Sequence, residues 1–239
     1  VPDIDPSIER LGYWVVGRIP ADGLRPYLVG IAGSVAVGKS RVAEELATVL
    51  SASRRVEVVT TDGFLFPNAE LAELGLEARK GFPETYDVHL LEDFLRRIRA
   101  GEPEVPAPVY SHELYDVLPT RRMIERPDVL VLEGVNVLQP GPAALLDLRI
   151  YVDADTDDIL HWYVERFLRL RAAAVDDESS FFRRFSGGED ADATTIAELI
   201  WQGINAPNLV EHILPTRDHA DVVVRKGADH RVVEVRLPE

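Results

Sequence analysis

Four residues in "GSVAVGKS", residues 33–40, stand at the spacing G-x-x-x-x-G-K-[ST]: Gly33, Gly38, Lys39 and Ser40. Two glycines at that interval let the backbone curl until successive N–H groups converge on an anion. The residues that would line such a cradle are Gly33, Ser34, Val35, Ala36, Val37 and Gly38. Lys39 adds a charge that reaches the β- and γ-phosphates, and the Ser40 hydroxyl suits Mg²⁺. ATP and Mg²⁺ are therefore the expected ligands. A glycine-rich turn with an exposed lysine would show the same letters. Here an apolar run, "YLVGIA", comes before and a helical pattern follows, which is the context a phosphate loop requires.

Phosphoryl transfer to a hydroxyl needs a carboxylate to accept the proton, cations on the moving group, and Mg²⁺. Two apolar runs end in acids. "VVTTDGF" ends in Asp62 and "VLVLEG" in Glu133. Asp62 suits the proton acceptor, and Glu133 the Mg²⁺ shell beside Ser40. Asp before Gly is also a common turn residue, so either acid alone is ambiguous. Two in one phosphate-loop chain favour the chemical reading. Three further clusters combine charges with hydrogen-bonding aromatics. They are Arg79, Lys80 and Tyr86; Tyr110, His112 and Tyr115; and Tyr163, Arg166, Arg169 and Arg171. On a helix, Tyr163 and Arg166 share a face. Arg166 is the candidate for the transferring phosphoryl group, whereas Arg169 and Arg171 are expected on a solvated face.

The elements that must position these groups alternate. Strands are expected at "YLVGIA", "VEVVTTD", "PDVLVLEG", "LRIYVDA", "ADVVVRK" and "RVVEVRL". Helices are expected at "SRVAEELATVLS", "VHLLEDFLRRIRAG", "DDILHWYVERFLRLRAAA" and "DATTIAELIWQGI". Continuous apolar strands between helices predict an α/β fold: a mostly parallel sheet with helices on both faces, of the P-loop NTPase-like kind. Residues 1–24 read as an irregular lead-in and residues 25–239 as one P-loop kinase domain. "PEVPAPVY" and "QPGPAALL" read as proline-punctuated connections, and His212 and His219 fall in a late helix-to-strand connection. Residues 176–193 read either as a lid over substrate or as a surface loop anchored by Phe181 and Phe182.

Composition narrows the function further. With no cysteine among 239 residues, disulfides, thiolate zinc sites and Cys nucleophiles are excluded. That suits a reducing cytosol, and a cytoplasmic location is expected. A net charge of −15 argues against a nucleic-acid binder. No apolar run is long enough for a membrane span, and no secretory leader is visible. The partner expected is a small molecule.

"GIAGSVAVGKS", "VTTDGF", "KGFPETYD", "APVYSHELYD", "LVLEGVNVLQ", "WYVERFL" and "INAPNLVEHILPTR" together resemble the bacterial type I pantothenate kinases, in the order that family has them. The resemblance implies ATP-dependent phosphorylation of the pantothenate hydroxyl, the first step of coenzyme A synthesis, and a homodimer. It implies that Lys39, Asp62 and Arg166 are catalytic, with Asp62 the base. Tyr110, His112, Tyr115, Tyr163 and Asn205 would line the substrate site. His230 would lie against adenine, although a polar residue in a late hairpin turn reads the same way. The chain departs from the family in its shorter region before the loop, so part of the adenine pocket is expected to be missing or rebuilt. Arg41, Glu44 and Leu170 also depart. Glu44 near phosphates would repel coenzyme A, so weak or absent feedback is expected. A kinase of another small hydroxylated metabolite (a nucleoside such as uridine, a sugar, a glycerate-like acid) stays open, as does a nucleotide-binding regulator without turnover.

Overall fold

Strand β1, Tyr27–Gly33, is buried along its whole length, as its unbroken apolar sequence requires. It forms the centre of the computed structural model, which describes residues 4–187 and 190–238. Ahead of it lies helix α1, Pro6–Val16, capped by the Asp5 side chain, which accepts from the Ser7 N–H at 2.8 Å. This corrects the irregular lead-in expected from Pro2, Pro6 and Pro20. Pro6 stands in the first helical turn, where its missing N–H costs nothing. Ile8, Leu11 and Val15 then project at helical spacing into the main core.

After β1 come α2, Lys39–Leu50; β2, Val56–Thr60; the short α3, Asn68–Glu73; and α4, Val88–Arg99. Helix α4 buries Leu91, Phe94, Leu95 and Ile98 on one stripe, is capped by Asp87, and carries Arg96, Arg97 and Arg99 in its last turn. Next are β3, Glu104–Ser111, and β4, Asp116–Glu125, an antiparallel pair apart from the main sheet. The proline-rich stretch expected to be a connection is thus a strand. Its prolines are tolerated because a two-stranded ribbon consists of edges. The chain continues through β5, Val129–Glu133; α5, Pro140–Ala143; β6, Leu148–Asp153; α6, Thr156–Ala173; α7, Asp190–Ile200; the one-turn α8, Ala206–Asn208; β7, Val222–Lys226; and β8, Val232–Arg236.

The main sheet runs β2-β5-β1-β6-β7-β8, parallel except for β8, which pairs antiparallel with β7. Helices cover both faces. In such a sheet the crevice outside the carboxyl ends of the strands is where ligands bind. The loop after β1 opens there at mid-sheet, between the ends of β5 and β6. No described helix is long and apolar enough to cross a membrane.

Candidate active site

The loop after β1 has the curl expected of it. Gly33 has φ 149° and Gly38 φ 89°, and a Cβ on Gly33 would run into the Val152 carbonyl. Ala36 also takes a positive φ, 64°. Among the described residues, the buried Ser34 hydroxyl has no hydrogen-bond partner. Lys39 opens α2 from inside this loop and donates to the Ser34 carbonyl at 2.9 Å. Burial lowers the Lys39 pKa, and the carboxylates of Glu133 and Asp62 oppose that.

Glu133 and Asp62 arrive on adjacent strands. Thr60, the last residue of β2, stands in register with Glu133, the last of β5. Beyond Thr60 the chain turns through Thr61–Phe64, and the Asp62 N–H donates to the Thr60 hydroxyl at 3.3 Å. Gly134 makes this close approach possible, since a Cβ there would collide with the Thr61 side chain. Glu133 is buried, which raises its pKa against the pull of Lys39. It accepts from the Ser40 hydroxyl at 3.1 Å.

Three connected spaces surround the loop. The largest, about 850 Å³, is a groove lined by Asp5, Ile8, Gly38–Ser40, Trp162, Arg166, Lys226 and His230. His230 sits in the β7–β8 turn at φ 65° and stacks on Trp162 with ring centroids 4.1 Å apart and planes 25° apart. Ile4–Pro6 and Ile8 of the N-terminal segment help to wall this groove. A second space, about 160 Å³, is lined by Lys39, Ser40, Asp62, Tyr110, His112, Tyr115, Glu133, Arg166 and Asn205. A third, about 240 Å³, adjoins it and shares His112, Tyr115, Arg166 and Asn205. Its other walls include Tyr163, Leu170, Phe167, Phe181, Phe182 and Phe185.

Each of these side chains has a structural reason to be where it is. Tyr110 and His112 come from the end of β3 and the turn after it, their rings 5.3 Å apart. Tyr115 occupies the β3–β4 turn at φ 54° and stacks on Phe181 at 4.4 Å. Burial raises the pKa of Tyr110 and Tyr115, the latter to about 12, and lowers that of His112, so all three are neutral near pH 7. Tyr163 is raised by burial and hydrogen-bonded to Asn205, which ties α6 to the segment after α7. Arg166 on α6 lines all three spaces.

The residues expected at the site therefore converge, and some expectations change. Arg169 is exposed at the groove rim as expected. Arg171 is not on a solvated face: it is 8% exposed, donates to the Phe185 carbonyl at 2.7 Å and pairs with Asp190. A helix of this length must bury one stripe, and Arg171 continues the stripe of Phe167. Glu44 is exposed and is not among the residues lining the groove, whereas its neighbour Glu45 lines it, held by Arg41 and the Asp5 N–H. Within 176–193, Phe181–Phe185 forms a 3₁₀ turn packed with Phe167, Ala193 and Ala197, and the residues from Asp190 onward belong to α7. Residues 188–189 lie outside the described residues.

Several lining residues went unassigned from sequence. Lys80 donates to Asn68 Oδ1 at 2.6 Å and the Tyr115 carbonyl at 2.5 Å, and burial lowers its pKa to about 8. Tyr86 and Asn208 join it around Asp62. "KGFPETYD" flagged Lys80 and Tyr86 by type. Arg79 in the same motif turns away to Glu84 and the Phe82 ring. Asn208 was flagged only as part of "INAPN", and Lys226 and Trp162 were given no role, because each reads as a strand or helix-core residue until the chain is folded.

The donor set suits Mg²⁺. Among the described residues there is no cluster of three or more His, Cys, Asp or Glu that would cage a metal. One hydroxyl and one or two carboxylates beside a phosphate cradle are what Mg²⁺ uses when phosphates complete its shell.

Comparisons with known proteins agree with this geometry. The profile of the Phosphoribulokinase / Uridine kinase family matches residues 28–183. A pantothenate kinase of Streptomyces coelicolor is 49% identical over 227 residues, spanning 89% of this chain and 69% of that protein. A pantothenate kinase of Myxococcus xanthus is 51% identical over 227 residues, spanning 89% and 72%. Among solved structures, a chain from Silicibacter described as a fructose transport system kinase superposes with a TM-score of 0.71. It is 24% identical and covers 89% of this chain and 94% of its own, a likeness of fold.

Proposed function

Because the chain belongs to the pantothenate kinase family, we propose that it transfers the γ-phosphoryl group of ATP to the primary hydroxyl of pantothenate. The observation carrying this reading is the single cavity onto which Lys39, Asp62 and Arg166 open together with Tyr110, His112 and Asn205. It brings charged groups suited to the phosphoryl end together with neutral hydrogen-bonding groups suited to an amide-bearing acceptor.

In this reading the Gly33–Ser40 backbone grips the phosphates, and Lys39 and Arg166 neutralise the group in transit. Asp62 takes the proton from the acceptor hydroxyl as its oxygen bonds to the γ-phosphorus. The bond to the β–γ bridging oxygen breaks, ADP leaves, and Asp62 returns its proton to solvent. Tyr110, His112, Tyr115, Tyr163 and Asn205 hold the acceptor, with Tyr163 fixed by Asn205. His230, backed by Trp162, stacks on the adenine. Ser40 and Glu133 would hold Mg²⁺, which when bound supplies positive charge across the phosphate oxygens. We read residues 25–239 as one kinase domain with α1 packed on it, and the protein as a cytoplasmic homodimer, which light scattering would test.

The experiment is an acceptor screen. ADP release is measured with pantothenate, uridine and glycerate at equal concentrations. Pantothenate is expected to give the highest kcat/KM by a wide margin. Preference for either other acceptor would overturn the substrate, and nucleotide binding without turnover on any would overturn the enzyme.

A further inference from the structure

Lys226, the last residue of β7, is 5% exposed, yet no described residue gives its Nζ a hydrogen bond or ion pair. The ammonium lies 2.5 Å from where a Cβ on Gly38 would stand, at the N-terminus of α2. It is 5.7 Å from the Trp162 ring centroid. The charges facing it are Glu45, Arg41 and Asp5. Both acids are committed elsewhere. Glu45 accepts from Arg41 and the Asp5 N–H, and Asp5 accepts from the N–H groups of Ser7 and Val232. A buried cation facing the positive end of a helix, without its own counter-ion, is an unfavourable arrangement that a bound anion would relieve.

We propose that Lys226 is a nucleotide-binding residue that holds the phosphate nearest the nucleoside. The proposal rests on the groove being the nucleotide site. Two lysines flank the loop. Lys39 turns toward the Ser34 carbonyl, Glu133 and Asp62, the acceptor side. Lys226 lines the groove with Trp162 and His230 and does not line the acceptor cavity. A phosphate chain running from the Trp162–His230 stack toward Asp62 meets Lys226 first, so the α-phosphate is its partner.

Calorimetric titration of ATP, ADP, AMP and adenosine into the full chain tests this, with wild type, Lys226→Met and Lys226→Arg. Lys226→Met is expected to weaken ATP, ADP and AMP by a similar factor, about ten- to a hundredfold for one charge-assisted contact. Adenosine should bind as before, and Lys226→Arg should restore much of the loss. Without ligand, Lys226→Met is expected to melt higher than wild type, because methionine fills the site without burying a charge. Its ATP-induced rise in Tm should be smaller. Unchanged AMP affinity in Lys226→Met, or a loss for adenosine equal to that for AMP, would overturn the proposal. A wild-type protein that binds none of the four would instead overturn the nucleotide reading itself.

Discussion

In the proposed reaction Asp62 is the base, and Asn at that position keeps its shape while removing its basicity. Asp62→Asn is expected to lower kcat by about 10²–10⁴-fold with little change in the KM for ATP, measured by coupled ADP release. Retention of full turnover would remove the proton-transfer role. Lys80 sets a pH limit. Burial brings its pKa down to about 8, so it is charged below that pH and neutral above it. If its charge helps to hold a carboxylate-bearing acceptor, kcat/KM for pantothenate falls as pH rises through about 8. Lys80→Gln should abolish that limb. The sign for stability is opposite. The unfolded chain binds the proton up to the ordinary lysine range, so between about 8 and that range stability rises with pH.

At the scale of elements, the site is a matter of how closely strand ends approach. Gly134 follows β5, and its missing side chain lets the turn bearing Asp62 lie against it. Gly134→Ala would push the β2 and β5 ends apart, at about 1–3 kcal/mol of stability. The expected result is a folded protein with a far lower kcat, read by circular dichroism and ADP release together. Unaltered kcat would mean that the register of the two acids is not what positions them. Legibility from the chain follows the same line. The strands around β1 were legible because central parallel strands are continuously apolar. The β3–β4 ribbon was not, because prolines in "PEVPAPVY" look like loop residues unless the strand is known to be an edge. Arg171 was misread because the i, i+4 pattern shows which residues share a face, not which neighbour will cover it.

For the whole molecule, a net charge of −15 surrounds a site that binds phosphates, so the fold must concentrate cations locally and tie down acids elsewhere. Asp147, before β6, is one such acid. Burial alone would raise its carboxyl. Hydrogen bonds from Arg25 and the Leu28 N–H, with Arg99 nearby, hold it below the usual range. A depressed carboxylate stabilises the fold above its unfolded pKa, and that contribution is lost as pH falls through the folded value. Asp147→Asn is therefore expected to lower Tm at pH 7 by about 2–4 °C for each ~1 kcal/mol lost. The gap to wild type should close in acid. A constant gap across pH would assign the effect to shape rather than charge.

What the amino-acid sequence determined by itself was local. A glycine spacing compels a curled backbone, an apolar run compels a buried strand, and an acid after such a run compels a carboxylate at a strand end. Those demands act over a few residues, so the phosphate loop, Asp62, Glu133 and the α/β architecture could be read directly. What only the tertiary structure decided was adjacency. Lys80 meets Asp62, Trp162 meets His230, and Lys226 reaches Gly38 because parallel strands and packed helices bring distant segments to one edge of the sheet. Burial then alters the charge and exposure of each, and no stretch of chain carries that information alone.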